Sequence, residues 1–367
     1  MPVTVSYPGV YVEEDASPSL SINNSATAVP AIIVGNDDRL VKGSDNQQCM
    51  RITSWLDYVK NVKTILGEDY AFDFGSSDDG HRDTAIRAYF ENGGGYCYLV
   101  LGNCATARIP CYDDISLIVG QGVLDVDSAD IGTLCQPGTG RFAIMDGSQS
   151  EMTSTYKPAW QSNPCVAVYY PYLRANWTSN NIPPSVVVAG IYCSVDRTRG
   201  VWKAPANVYL PANYQPLYKV IDDLQGQFNS GLAINMIRNA VGGGTVVWGA
   251  RTLEDSDNWR YIPVRRLFDS AERDIKSALR SMVFEPNGQP VWEKVRSAIT
   301  NYLYGLWQAG ALVGESEKEA YFVQIGEGLT MTSDDIAQGK MIVNVGMAAV
   351  RPAEFIVLQF TQNVGQG

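Results

Sequence analysis

Residues 264–283 read VRRLFDSAERDIKSALRSMV, and residues 291–307 read VWEKVRSAITNYLYGLW. In the first, Val264, Leu267, Phe268, Ala271, Ile275, Leu279, Met282 and Val283 recur mostly three or four residues apart. In the second, Val291, Trp292, Val295, Ile299, Tyr302, Leu303, Leu306 and Trp307 do the same. That spacing gathers apolar side chains on one face and predicts two long amphipathic helices. Pro286 and Pro290 punctuate the gap between them. Further on, Thr332 with Asp335 fits a capping box, and Gly339 fits a helix stop. An extended run over residues 341–350 follows, then Arg351-Pro352, then a last alternating run over 355–361. Little sequence remains to cover that run. It reads as a sheet edge or as a strand offered to another molecule.

The other end has the same character. Val3, Val5 and Tyr7 alternate, Pro8-Gly9 interrupts, and Val10-Tyr11-Val12 resumes. Behind it, residues 13–25 are acidic, then rich in Ser and Asn, with no helical spacing, and read as a linker. Residues 29–35 (VPAIIVG) are the first buried-strand pattern. Residues 52–66 and 83–92 read as helices, the second ended by Gly93-Gly94-Gly95. Short β-rich runs occupy 96–101, 115–119, 142–145 and 166–170, whereas 185–194 suits a buried helix or a buried strand equally. Alternating strands and helices predict an α/β layer domain over residues 29–196. A composition shift follows at VDRTRGVWKAPAN, residues 195–207, and no internal repeat is present.

With 367 residues, the chain is long enough for about two domains. Hydrophobic residues at 45% and charged residues at 18% describe a globular protein. A net charge of -11 argues against nucleic acid as a main partner. The seven cysteines (Cys49, Cys97, Cys104, Cys111, Cys135, Cys165, Cys193) form no CxxC pair and fit no common metal set. They read as reduced thiols. No signal peptide pattern opens the sequence and no apolar run is long enough to span a bilayer, so synthesis and folding in the cytoplasm are expected.

Catalytic motifs are missing. His81, the single histidine, follows a loop-like SSDDG stretch with no nucleophile to serve. There is no GxSxG, HExxH or Walker loop. The glycine triplets 93–95 and 242–244 each run straight into a β-rich segment, as turns do. Asp125, Asp127 and Asp130 lack the glycine and the twelfth-position glutamate of a calcium loop. Glu254, Asp255 and Asp257 sit among Arg251, Arg260, Arg265 and Arg266, which predicts charge pairing within the fold or across a subunit contact. No catalytic residue, cofactor or metal is expected.

Several long strings occur in an order that resembles contractile tail sheath proteins. They are Pro8–Glu14 (PGVYVEE) with Thr27–Ala31 (TAVPA), Asp196–Asn207 (DRTRGVWKAPAN), Asn258–Leu267 (NWRYIPVRRL), Phe284–Asn287 (FEPN) and Val350–Phe355 (VRPAEF). That family includes the sheaths of phage tails, R-type pyocins and extracellular contractile injection particles, and the compact length looks most like the last. Similarity is dense over 197–360 and the first thirty or so residues, and weak between about 37 and 184.

The resemblance implies a mixed α/β fold. Residues 1–28 would be an N-terminal strand arm and linker, 29–196 a variable outer α/β domain, 197–354 an inner sheath domain, and 355–367 a C-terminal strand arm. It further implies stacked hexameric rings around an inner tube, contraction that drives the tube through a cell envelope, and baseplate, cap and paralogous sheath partners. Assembly would occur in the producer cytoplasm, with possible release of the particle. In such sheaths the arms add strands to neighbouring subunits. Carried over here, the arm residues are Val3, Val5, Tyr7, Val10, Tyr11, Val12, Phe355, Ile356, Val357, Leu358 and Phe360. Glu254, Asp255, Asp257, Arg260, Arg265 and Arg266 become candidate subunit contacts. Arg273, Lys276 and Arg280, on one helical face, become candidate tube contacts. The rival readings are a nucleotide-binding α/β enzyme and a non-contractile tube or capsid protein.

Overall fold

The computed structural model describes residues 20–354 apart from Asp73, Ser76 and Val126. The two expected arm strands, at 3–12 and 355–361, lie outside the described residues. Packing divides the chain into a unit containing Ser25–Arg273 and a unit containing Asp274–Ala348.

The first unit is built on one nine-stranded sheet. Its strands are β1 (Pro30–Val34), β2 (Cys49–Ile52), β3 (Cys97–Leu101), β4 (Leu117–Val119), β5 (Phe142–Asp146), β6 (Val166–Tyr170), β7 (Val208–Tyr209), β8 (Ile234–Asn239) and β9 (Thr245–Trp248). Their spatial order is β2-β3-β1-β4-β5-β6-β8-β9-β7. The run from β3 to β8 is parallel, while β2, β9 and β7 pair antiparallel at the two margins. Every residue of β1, β3, β4 and β6 is buried. This is why they read as unbroken apolar runs: a parallel sheet is covered on both faces. The period of two divides them cleanly. Ile32, Val34, Leu99, Leu101 and Ile144 join one core, and Ala31, Ile33, Tyr98, Val100 and Met145 join the other.

Among the described helices, α1 (Trp55–Leu66), α2 (Asp78–Glu91) and α3 (Pro184–Arg199) cover the first of these faces, with Leu40 and Val41 of the short helix Arg39–Lys42. Ser54 caps α1 and Ser77 caps α2. Asp78 and Asp79 in the first turn of α2 suit its positive end. The stretch expected as a loop therefore starts a helix, and His81 lies exposed on it. Residues 184–193 of α3 are all buried, so the helix has no polar face there and showed no period. It also runs backbone-close to α2. A Cβ on Gly190 would stand 2.5 Å from the Tyr89 carbonyl oxygen.

Arg82 of α2 is itself buried. It reaches Asp38 (2.9 Å), Asp79 (2.7 Å) and Asp83 (2.9 Å), with the Tyr58 hydroxyl at 2.8 Å. Its burial alone would lower its pKa, but the surrounding acids and phenol more than offset this and raise it. The expected boundary between 196 and 197 falls inside α3, and strands on both sides of it share the one sheet.

The second unit is small. It takes the last turns of α4 (Ile262–Leu279) from Asp274 onward, then α5 (Gln289–Gln308). Trp292, Val295, Ile299, Tyr302 and Leu303 form the buried stripe of α5, in the predicted spacing. The Tyr302 hydroxyl donates to Asp274 at 2.8 Å. The Thr332–Asp335 capping box is present on the short helix Ser333–Ala337, and Gly339 beyond it has a φ of 74°. The extended run expected over 341–350 narrows to a four-residue strand, Asn344–Met347.

Candidate functional site: a strand pair and two fastened segments

The second unit contains a sheet of two strands, Tyr321–Gln324 and Asn344–Met347, paired antiparallel with Phe322 opposite Gly346. Among the described residues no third strand joins either edge. The Phe322 ring lies across Gly346, where a Cβ would meet it at 2.1 Å, so a larger residue there would displace the ring. Even so, Phe322 remains 52% exposed. The pair packs against α5, which is what makes two strands stable, and its outer N–H and C=O groups are open to water or to a further strand.

In the first unit, the described chain is fastened near each end. At the N-terminal side, Thr27 donates its hydroxyl to Asp196 Oδ2 at 2.5 Å. Its carbonyl accepts from Ser116 Oγ at 2.8 Å and Arg266 Nη2 at 3.2 Å. The Ala26 carbonyl accepts from Arg273 Nη2 at 3.0 Å. Arg266 grips both oxygens of Asp196, at 2.7 and 3.0 Å, with the two side chains only 3% and 4% exposed. Its guanidinium lies 4.6 Å over the Tyr192 ring. At the C-terminal side, Arg251 donates to Glu354 Oε2 from Nε at 2.9 Å and from Nη2 at 2.6 Å.

The acidic run pairs only in part with the arginines around it. Arg260 holds Asp255 at 2.5 Å and Asp257 at 3.3 Å, near the surface. A bond from the Gly231 backbone N–H, then Arg260, lowers the Asp255 pKa. Glu254 accepts from Ser256. Arg265 and Arg266 turn inward: Arg265 pairs with Asp269 at 2.7 Å and stacks 4.3 Å from the Trp259 ring. Of the cations expected on one helical face, Arg273 is drawn to Ala26 and Lys276 is exposed on α4, whereas the helix stops at Leu279 and leaves Arg280 exposed in the turn beyond it. Asp196, Thr27 and Glu354 had no role assigned from sequence. Their partners lie 70 to 239 residues away along the chain, and no local pattern encodes that.

Asp146, at the end of β5, accepts from Ser185 N and Oγ and from Gly122 N, each at 2.8 Å. Burial pushes its carboxyl up to about 6 against those bonds. Asp127 accepts from the Gln161 backbone, and Asp130 lies in the first turn of the helix Ala129–Leu134. Among the described residues no group of acids, cysteines and histidine is placed to hold a metal ion. No described helix is long and apolar enough to cross a membrane. All seven cysteines are free thiols, five of them buried. Burial pushes Cys49 up to about 11.

Residues 254–363 match the family model of the phage tail sheath C-terminal domain. The chain is 52% identical, over 99% of both chains, to the sheath of an extracellular contractile injection system, PVC, in its contracted state (TM-score 0.86). It is 43% identical to a chain of the contracted helical sheath of the anti-feeding prophage, covering 98% of this chain and 100% of that one (TM-score 0.79). At the same identity and coverage it matches a chain in that particle's baseplate (TM-score 0.77). The comparison with curated proteins gave no match.

Proposed function

This chain belongs to the contractile tail sheath family and is a structural subunit of a contractile sheath, not an enzyme, and we propose that its copies stack as hexameric rings around an inner tube. Contraction of that polymer would drive the tube through a target envelope. The two-stranded sheet of the second unit carries the reading. It is short of strands, and its half-exposed Phe322 has no cover among the described residues. Residues 3–12 and 355–361, alternating in sequence, have the right pattern to extend such a sheet in a neighbouring subunit. One added strand is a modest contact. Repeated along a polymer, such contacts gain strength through high effective concentration.

In this reading residues 29–196 face outward and 197–354 inward, and Lys276 and Arg280 meet the tube with Arg273 at the base of that face. Glu254, Asp255, Asp257 and Arg260 are near the surface and are available to a neighbouring copy. Arg265 and Arg266 act inside the subunit instead. Contraction is a change from one packing of subunits to another of lower energy, with the strand links preserved. The relatives found in a baseplate and in an extracellular injection particle support baseplate contact and a particle that acts outside the cell. Assembly in the producer cytoplasm is part of the same proposal.

The test is removal of residues 1–12. The variant should remain a folded monomer by circular dichroism and fail to polymerise when co-expressed with the tube. Ordered sheaths from it in negative-stain images would refute strand exchange.

A further inference from the structure

We propose that Arg251 and Arg266 are positioning residues through which tension on the two termini enters the subunit, and that residues 250–266 form one brace between them. The proposal rests on the strand-exchange reading, because only linked termini are pulled.

The brace is continuous in its hydrogen bonding. Ile262 N donates to the Ala250 carbonyl at 3.0 Å, and Thr252 N to the Arg260 carbonyl at 2.9 Å. Arg251 and Tyr261 form an antiparallel bridge between these bonds. Helix α4 starts at Ile262 and carries Arg266 in its second turn. A single short segment therefore presents one arginine to Glu354 and another to Asp196 and Thr27.

The brace is also fixed to the sheet. The Asn235 side chain of β8 donates to the Arg251 carbonyl and accepts from the Arg251 N–H, both at 2.8 Å. Leu253 N donates to Val166 of β6 at 2.9 Å. The Arg266–Asp196 pair is shielded from water and the Arg251–Glu354 pair largely so, and pulling either apart would strand a poorly solvated charge. The Arg260 pairs on the same hairpin are more exposed, with Arg260 at 27%, Asp255 at 31% and Asp257 at 87%, so screening weakens them further. They supply an internal control.

Hydrogen exchange of the full chain, read by mass spectrometry, tests the fastening directly. Arg251→Met and Glu354→Gln should each speed exchange over residues 349–354 by about tenfold or more, because a local opening loses its closing bonds. Arg266→Met should do the same over residues 26–29. Exchange in β1 should not change, and Arg260→Gln should leave both ends as they are. Sheaths assembled with the tube from Glu354→Gln chains should break on contraction, seen as short fragments by electron microscopy, where wild-type sheaths stay whole.

Unchanged exchange in Glu354→Gln, an equal effect from Arg260→Gln, or variant sheaths that survive contraction as wild type does would each overturn the proposal. Exchange in the unpolymerised chain does not depend on strand donation. Ordered sheaths from the 1–12 deletion would therefore refute the wider reading separately.

Discussion

Replacing Arg266 with Met measures how much one buried ion pair contributes to this fold. The substitution keeps a long apolar stem and removes the guanidinium. Asp196 then loses two bonds, at 2.7 and 3.0 Å, while its side chain stays 4% exposed. Breaking a buried pair by deleting one partner costs about 3–5 kcal/mol. The lost stacking on Tyr192, 4.6 Å away, is included in that cost and is about 1–2 kcal/mol of it. Since native stability is only about 5–15 kcal/mol, roughly a fifth or more of it is at stake. The double variant Arg266→Met/Asp196→Leu removes both charges. It should regain most of the loss and fall within about 2 kcal/mol of wild type, the deficit reflecting the Thr27 hydroxyl left without its acceptor. Urea unfolding of the free chain, with both single variants and the double, gives the coupling energy. A cost below about 1 kcal/mol for Arg266→Met, or a double variant no better than the single, would refute the claim that this pair is desolvated.

Three other substitutions probe other parts of the molecule. Asp146 has a folded pKa raised to about 6, above the usual unfolded carboxyl near 3.9. Its contribution is fully present below about pH 4 and is lost as pH rises through about 6. Urea midpoints should show the stability gap between wild type and Asp146→Asn shrinking by about 2 kcal/mol from pH 4.5 to 7.5; a constant gap would contradict the assignment. Gly190→Ala drives a methyl into the Tyr89 carbonyl at 2.5 Å and should cost about 1–3 kcal/mol or more, read as a lowered Tm. Phe322→Asp removes a side chain only half buried, so the monomer should lose about 2 kcal/mol and stay folded by circular dichroism, yet sheath assembly should fail in negative-stain images.

Much of the fold was legible because its signals are local. The α5 stripe, the Thr332 cap and the apolar runs of β1, β3 and β6 each depend on neighbours within a few residues. Where burial is complete, as along α3, the periodic signal disappears and helix cannot be told from strand. The SSDDG stretch read as a loop because helix caps and turns use the same residues; here Ser77 caps α2. The charges at 254–266 were visible as a group, but the choice of partner was not. Arg260 takes Asp255 beside it, whereas Arg266 takes Asp196 from another helix. Family resemblance located the strings holding Thr27, Asp196 and Glu354, and only the packed chain shows what those residues grip.

The position of Asp146 has a consequence beyond its own bonds. In many parallel sheets the opening where a strand end meets the start of a helix receives phosphate from a nucleotide. Here the backbone N–H of Ser185, at the start of α3, is met by a carboxylate that the chain itself supplies. The subunit thus supplies its own anion at that opening, from the end of one strand to the start of the next helix.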